Sequence, residues 1–512
     1  MSDNRSNNKR IAKNTLVLYI RMAITMIVQL YTSRVVLQAL GVSDYGIYNI
    51  VGTVVVMFSF ISNPLGTATQ RFYNYELGRS DYAQLNKVFN ISLYIFLMLS
   101  VVLFVLMEPV GSWYVLNKMN MPVERTNAAL IAFQFSLVSF LFSLVRTPFE
   151  SMIIANERMS YYAYISILEV LLKLGNAFSL LCFGFDKLIL FSLNQMLITI
   201  ICFTCVVVYS RRQFIAVRIR RIWDQSLFRQ LLSFTGWSLF GSVASMSADQ
   251  GVILVVNNFC GVAVNAAVGI ANQISASINQ FVGNFQVAFR PQLVKLYANS
   301  ETENLNTLIL NSAKYSYLLL FAIACPVIFN AGFLLEVWLG AVPKYATEFV
   351  VLNIVYMLLE TLSAPLWMTI QATGKIKRYQ LIISSVMFLN ILASFLLLNL
   401  GLQPYIVLIV KCFLDLVYFG IRMSFVRNAT QLSLRRFTLE VVCQISVITI
   451  LSILYFCLLL SSALHGWILL LVGTFFFILM YVPLVLFTCV SKSDRFMIMK
   501  FVKINSKENE QI

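Results

Sequence analysis

Thirty residues from Lys13 to Val42, KNTLVLYIRMAITMIVQLYTSRVVLQALGV, leave this chain few ways to fold. The run is mostly apolar and, at about 1.5 Å of rise per residue, long enough as a helix to cross a bilayer. Yet Arg21, Thr25, Gln29 and Thr32 recur at spacings of 4, 4 and 3, so one face of that helix is polar. Hydrocarbon does not tolerate such a face; it must lie against protein or a watery cavity. Some 220 residues on, Ser233 to Val262 repeats the pattern, with Ser238, Ser242, Ser245 and Asp249 on its polar face. At that offset Thr25 falls on Ser245, Gln29 on Asp249, and Gly41-Val42 on Gly261-Val262. The chain therefore reads as two copies of one helical unit, each opened by such a helix.

Hydropathy predicts fourteen spans, at 11–39, 45–69, 86–109, 124–149, 160–183, 188–210, 231–257, 262–288, 308–332, 346–371, 379–400, 404–426, 440–461 and 466–490. The expected fold is all-α: a polytopic membrane protein with two pseudo-symmetric six-helix lobes around a central cavity, plus two C-terminal helices. The expected divisions are an N-terminal lobe at 1–210, a basic amphipathic linker at 211–230, a C-terminal lobe at 231–430, and the last two spans with a tail at 431–512. Sparse identities extend the repeat. Leu85-Asn86 matches Leu305-Asn306, and Ala155, Arg158 and Tyr161 echo Ala372, Lys375 and Tyr379 a few residues out of register. Glu108 and Trp113 have counterparts in Glu336 and Trp338. Six spans per copy is an even number, so both copies insert the same way up.

Charged residues make up 12% of the chain, half of what a soluble domain carries, which fits a membrane protein. The formal charge of +16 sits between apolar spans, in 211–229, 374–378, 427–436 and the two tails, and not on a soluble face. That excludes nucleic acid as a partner and orients both termini to the cytoplasm. In the linker, Ile215, Ile219, Ile222 and Trp223 either lie on the membrane, with arginines toward anionic headgroups, or serve only as orienting charge and tether. The tail 494–503 has the same character. Nine cysteines lie in or beside apolar spans, and the Cys202/Cys205 pair sits inside one, so they read as inert thiols. A single histidine, His465, cannot build a zinc site or a relay. The polar N-terminus leads straight into a full-length span, as a removable leader does not.

No reaction chemistry is visible: no carboxylate pair in a soluble cleft, no phosphate-gripping loop, no nucleophile with a base. The chain is not expected to be an enzyme, and no resident cofactor or metal is expected. What it has instead is ionisable groups at bilayer depth: Arg21, Glu169, Lys173, Asp249, Glu360, Lys411 and Asp415. Facing lipid, they would cost roughly 20 kcal/mol together, so they face one another or water. Glu169 and Lys173 form an i,i+4 pair, as do Lys411 and Asp415, and each pair either neutralises itself or joins a cavity wall. Arg21, Asp249 and Glu360 lack a local partner and read as cavity-lining. Arg34 and Arg146, near span ends, are expected to snorkel. Asn265, Asn272, Asn279 and Gln286 recur every seven residues, drifting only about 20° per step, and form a polar stripe suited to tying helices together or to hydrogen-bonding a sugar.

The runs RIAKNTLVLYIRM, LYTSRVVLQALGVSDYGIYN, TATQRFYNYELG and LEVWLG resemble bacterial oligosaccharide flippases of the polysaccharide-transporter (Wzx-type) group. Those proteins belong to the superfamily that also holds multidrug (MATE) exporters and lipid II flippases. LGVSDYGIY is the most specific of these pieces, and the resemblance covers essentially the whole chain. It implies two lobes opening alternately to either side of the membrane, and a polyprenyl-pyrophosphate-linked oligosaccharide moved to the outer leaflet for O-antigen, capsule or exopolysaccharide synthesis. Cavity cations in such proteins receive the pyrophosphate, which implies Arg21, with Lys173 and Lys411 behind it. Thr25, Gln29, Ser245, Asn265, Asn272 and Asn279 would form the polar wall for the glycan. Asp249 and Glu360 are candidates for carrying a coupling H⁺ or Na⁺. The expected setting is the bacterial inner membrane, multi-pass, with membrane lipids and a polysaccharide polymerase complex as partners. Two other readings stand: a cation-coupled MATE-like multidrug exporter, and a polytopic glycan polymerase or ligase. The short outer loops speak against the last.

Overall fold

A bilayer offers the backbone no hydrogen bonds, so a chain of apolar runs folds into helices that satisfy their own N–H and C=O groups. The computed structural model describes residues 2–56, 61–117, 119, 121–182, 185–340, 342–460 and 466–489, and every regular element among them is a helix. These are α1 (Ser2–Val56), α2 (Ser62–Gly78), α3 (Tyr82–Asn117), α4 (Thr126–Ala155), α5 (Met159–Cys182), α6 (Lys187–Gln213), α7 (Gln225–Ala298) and α8 (Thr302–Phe329). There follow α9 (Ala331–Leu339), α10 (Ala346–Thr373), α11 (Lys377–Asn399), α12 (Ile406–Thr430), α13 (Leu434–Phe437), α14 (Cys443–Leu460) and α15 (Gly466–Thr488). Eleven helical stretches among the described residues are long and apolar enough to span a membrane. The second part of α1 with α2, the second part of α7, and α12 are not among them; they carry the Arg71 region, the asparagine stripe and the Lys411–Arg422 charges. With these three the helices accommodate about fourteen crossings. His465 and the basic tail 494–503 lie outside the described residues.

The chain forms two compact units. Unit 1 is Met1–Val243 with Val287–Thr302 and Gln371–Leu381; unit 2 is Ala244–Gln286, Glu303–Ile370 and Ile382–Ile512. In unit 1, α4 packs on α3 and α6 while α1 packs on α5. Its core includes Phe96, Phe133, Leu137 and Leu188. One end is tied by ions: the Arg125 guanidinium pairs with both Asp44 and Asp186, and Lys187 Nζ donates to Ala39 O at 3.0 Å. Asp186 also caps α6, accepting from the N–H groups of Leu188 and Ile189. The LGVSDYG run thus has a physical role, because the turn at Gly41 delivers Asp44 to Arg125.

In unit 2 the aromatic core Phe321, Phe349, Phe456, Phe477 and Tyr481 joins α8 and α10 to α14 and α15. Tyr481 OH donates to Leu318 O at 2.8 Å, and the rings of Phe329 and Phe456 stack at 4.9 Å. The two spans outside the repeat are therefore part of this unit's core.

Backbone geometry displays the internal repeat more sharply than residue identity does. Gly41 (φ 76°) and Gly261 (φ 77°), 220 apart, each break a long helix in two. Ser80 (φ 57°) and Ser300 (φ 59°) stand at the same offset. Each ends a helix with a backbone bond spanning five residues, Asp81 N to Glu76 O and Glu301 N to Leu296 O, both in the Schellman pattern. Further on, Pro109 and Pro326, Pro148 and Pro365, and the turn residues Glu157 and Gly374 are each 217 apart. The second copy is three residues shorter, and the loss falls in α8 relative to α3.

A Cβ added at Gly41 or Gly261 would meet nothing within 4 Å, so alanine there is penalised by the backbone alone. Gly41→Ala and Gly261→Ala are each expected to cost about 1 kcal/mol, read as a lower melting temperature in detergent, and the two losses are expected to add. Gly46→Ala and Gly269→Ala, equally roomy but without a positive φ, are the controls expected to show no loss.

Candidate functional site

Unit 1 holds a cluster of five charges. On α5, Tyr162, Ser166, Glu169 and Lys173 follow one another at spacings of 4, 3 and 4, which puts them on one helical face. Glu169 accepts from Lys173 Nζ at 2.8 Å and from Arg146 Nη1 of α4 at 3.0 Å. Arg146 Nε lies 2.8 Å from Glu150 Oε1, one turn further along α4. The expectation that Arg146 snorkels is corrected: its side chain is 14% exposed and lies between two carboxylates, hydrogen-bonded to Glu169 through Nη1 and paired by charge with Glu150. Arg21 of α1 reaches the same group, with Nη1 3.4 Å from Ser166 Oγ and the guanidinium 5.0 Å from the centre of the Tyr162 ring.

Further along the polar face of α1, Thr25 and Thr32 donate to their own helix, at Met22 O and Val28 O, and Gln29 is exposed. Arg34 is exposed as well.

Unit 2 holds a second cluster, with the charge balance reversed. Lys411, Asp415, Tyr418 and Arg422 occupy one face of α12, again at spacings of 4, 3 and 4. The expected pairing of Lys411 with Asp415 is not the one formed. Lys411 Nζ instead lies 2.9 Å from Asp249 Oδ1 of α7 and 4.3 Å from the centre of the Tyr356 ring. Asp415, 1% exposed, lies among Glu360, Arg422 and Lys411 close enough for their charges to interact. Its Oδ1 receives no hydrogen bond. Arg422 donates to Ser363 Oγ and approaches the Tyr418 ring at 5.8 Å. The lysine stem reaches across to α7, where Asp249 would otherwise be left without a partner. Asp249 and Glu360, both read as lacking a local partner, thus belong to one cluster.

The asparagine stripe is mostly open. Asn272 is exposed and accepts from Asn353 Nδ2 at 3.2 Å, Asn279 is exposed, and Ser245 and Gln286 are half-buried. The Asn265 side chain lies outside the described residues.

A third group was not anticipated from the sequence. Within unit 1, Arg71 of α2 donates from Nε and Nη2 to Ala372 O, at 3.2 and 2.8 Å, and so caps the end of α10. Its guanidinium lies over the rings of Phe72, Tyr75 and Phe234. A Cβ at Gly374 would fall 2.7 Å from Arg71 Nη2 and push the guanidinium aside, and the φ of 77° there favours glycine whatever the space. At the matching turn of the first copy, Glu157 accepts from Lys295 Nζ at 2.7 Å and from Gln292 Nε2 at 2.8 Å. The echo of ANERMSY in ATGKIKRY pointed to these turns; their partners lie over a hundred residues away and left no local trace. Among the described residues no group of three or more His, Cys, Asp or Glu is placed to hold a metal.

No family profile matches the sequence, and no curated protein does. Solved structures do match by shape. An outward-facing multidrug-resistance MATE transporter of the MOP superfamily aligns with a TM-score of 0.67 at 14% identity, covering 82% of this chain and 96% of that one. A MATE transporter in complex with MaD3S gives 0.68 at 14% over 83% and 97%. A MOP superfamily transporter from Pyrococcus furiosus Vc1, described as having a binding pocket of reversed polarity that suggests a different function, gives 0.68 at 14% over 82% and 96%. This chain is thus a polytopic helical membrane protein with the MATE-like fold of that superfamily. At such identity the likeness is one of fold alone.

The ion network of unit 1 yields a graded expectation. Arg146→Ala strips Glu150 of its ion-pair partner and should cost about 3–5 kcal/mol. Lys173→Ala leaves Glu169 paired with Arg146 and should cost about 1 kcal/mol. Thermal unfolding of the detergent-solubilised variants measures both, and equal losses would contradict the network.

Proposed function

We propose that this protein is a flippase. It moves a polyprenyl-pyrophosphate-linked oligosaccharide from the cytoplasmic to the outer leaflet of a bacterial inner membrane by alternating access, for surface-polysaccharide synthesis, with both termini cytoplasmic. One observation carries the reading: the unit 1 cluster sets three cations, Arg21, Arg146 and Lys173, against two carboxylates, Glu150 and Glu169. A cluster in which cations outnumber carboxylates favours an anion that comes within reach of it. A pyrophosphate is such an anion, and a guanidinium binds phosphate oxygens in pairs.

Arg21 takes the first contact. Lys173 and Lys411 follow, each now held by a carboxylate that it exchanges for the cargo. Thr25, Gln29, Ser245, Asn265, Asn272 and Asn279 supply hydroxyl and amide groups for the sugars. Unit 2, with Asp249, Glu360 and Asp415 against Lys411 and Arg422, has the acidic surplus that binding H⁺ or Na⁺ requires. A polysaccharide polymerase complex is the partner that would consume the product.

That acidic surplus also favours a second reading, a cation-coupled multidrug exporter. The solved transporter described as having a binding pocket of reversed polarity, suggesting a different function, has a similar fold, and a fold does not by itself dictate function.

Proteoliposomes holding a fluorescent polyprenyl-pyrophosphate glycan separate the two. Flipping is expected from the wild type, an about tenfold or greater loss from Arg21→Ala, and partial recovery from Arg21→Lys. Transport of cationic dyes without movement of the glycan lipid would establish the exporter instead. Asp249→Asn and Glu360→Gln are expected to abolish stimulation by an imposed proton or sodium gradient; a wild type indifferent to both gradients refutes coupling.

A further inference from the structure

Between α6 and α7 the basic linker runs as a non-helical strap, residues 214–224, laid along α3. It does not hang free. Asn86 Nδ2 donates to Ala216 O at 2.6 Å and to Arg218 O at 2.8 Å. Asn90 donates to Arg218 O and accepts from Arg220 N, and Tyr94 OH donates to Arg220 O. Ala216 and Val217 of the strap are buried. Fixing the backbone in this way turns the other side chains outward. Arg218, Arg220 and Arg221 are exposed, and no ion pair engages them among the described residues. Ile215, Ile219 and Trp223 are exposed beside them.

Where the strap crosses α3 it forms a groove of about 420 Å³ lined by Tyr94, Leu97, Met98, Arg221, Ile222 and Trp223. Its lining side chains are apolar apart from Arg221 and the Tyr94 hydroxyl, which is engaged by Arg220 O. Its floor continues along α3 as Val101, Val102 and Val105, all more than half exposed. On a membrane-spanning helix that face lies against acyl chains, and Val105 is about 12 Å from Leu97 along the axis. Tyr94 and Trp223 stand where interfacial aromatics sit, between hydrocarbon and headgroups.

We propose that this groove binds an anionic glycerophospholipid, its phosphate held by Arg221 with Arg218 and Arg220 alongside, and one acyl chain on Leu97, Met98 and Val101. Charge and shape select this occupant. A zwitterionic lipid brings its own cation to compete with the guanidinium, and a soluble anion leaves the apolar floor uncovered. The inference requires only that the chain spans a membrane and does not depend on what it transports.

The test uses the purified full-length protein and tryptophan quenching by phospholipids brominated on the acyl chain. Trp223→Phe isolates the Trp223 signal from the other five tryptophans. Brominated phosphatidylglycerol is expected to quench Trp223 at lower mole fraction than brominated phosphatidylcholine. That preference should shrink about fivefold for each arginine removed, as for cations at an anionic membrane surface, and vanish in R218Q/R220Q/R221Q. The corresponding triple lysine variant should keep most of it. Equal quenching by the two lipids, or a preference unchanged in the glutamine variant, overturns the proposal. So does displacement of the lipid by glycerol phosphate, which would make this a free-phosphate site, or by a soluble acidic peptide, which would make it a protein-docking site. The three arginines are exposed, so the variants are expected to fold; unchanged elution on size exclusion checks this.

Discussion

A charge cannot sit alone at bilayer depth, and much of this molecule follows from that. Arg146 bridges Glu150 and Glu169, Lys173 shares Glu169, and Lys411 crosses to Asp249. Replacing such groups with leucines would give a more stable membrane bundle, since buried ion pairs rarely repay their desolvation. Retaining them in two clusters, each on a helix face built by the same 4, 3, 4 spacing, is costly. Retained charges of this kind at membrane depth are candidates for function by default. The balance of the two clusters is opposite: among the described residues Arg21, Arg146 and Lys173 stand with Glu150 and Glu169 in one cluster, and Asp249, Glu360 and Asp415 with Lys411 and Arg422 in the other.

The repeat supplies the scaffold, and divergence within it supplies the differences. Gly41 with Gly261, and Ser80 with Ser300, keep one backbone path in both copies. Glu157 and Gly374 occupy the same turn yet do opposite things. The glutamate extends a carboxylate to Gln292 and Lys295, while the glycine withdraws to admit the Arg71 guanidinium. Asn86 and Asn306 likewise share a role, each binding backbone carbonyls just after the sixth helix of its copy or at that helix's end: Ala216 and Arg218 in the first, Thr430 in the second. The first copy has a strap to bind there, and the second has only the end of α12.

How much of this was legible in the sequence depended on whether the cause was local. Helices, their number and the matched glycines were readable, because apolar length and positive-φ residues leave their marks within a few positions. The Glu169–Lys173 pair was readable for the same reason. The partner of Lys411 was not: two carboxylates lay within reach, and the choice between Asp415 and Asp249 depends on how α7 and α12 pack. Arg146 was misread as a snorkelling residue because its second partner, Glu169, is on another helix. Arg71 left no signal, since its acceptor is a backbone carbonyl 301 residues away. The switch of repeat offset from 220 to 217 was visible all along in the prolines of α3, α4, α8 and α10.

Fold and cargo are decided at different levels in such a molecule. Helix packing is set by apolar surface, so proteins with 14% identity can share the architecture at a TM-score of 0.68. What the architecture carries is decided by a few side chains whose charge the apolar surface neither fixes nor reveals. Here the ionisable side chains at membrane depth stand on α1, α4 and α5 in one unit and on α7, α10 and α12 in the other. The arginines of the strap belong to neither cluster and lie outside the spans. There, screened by water and headgroups, exposed cations can persist without a protein carboxylate to pair them. The same residue type thus does different work according to depth: in the spans an arginine must be answered by the protein or by its cargo, and at the membrane surface the lipid itself can answer it.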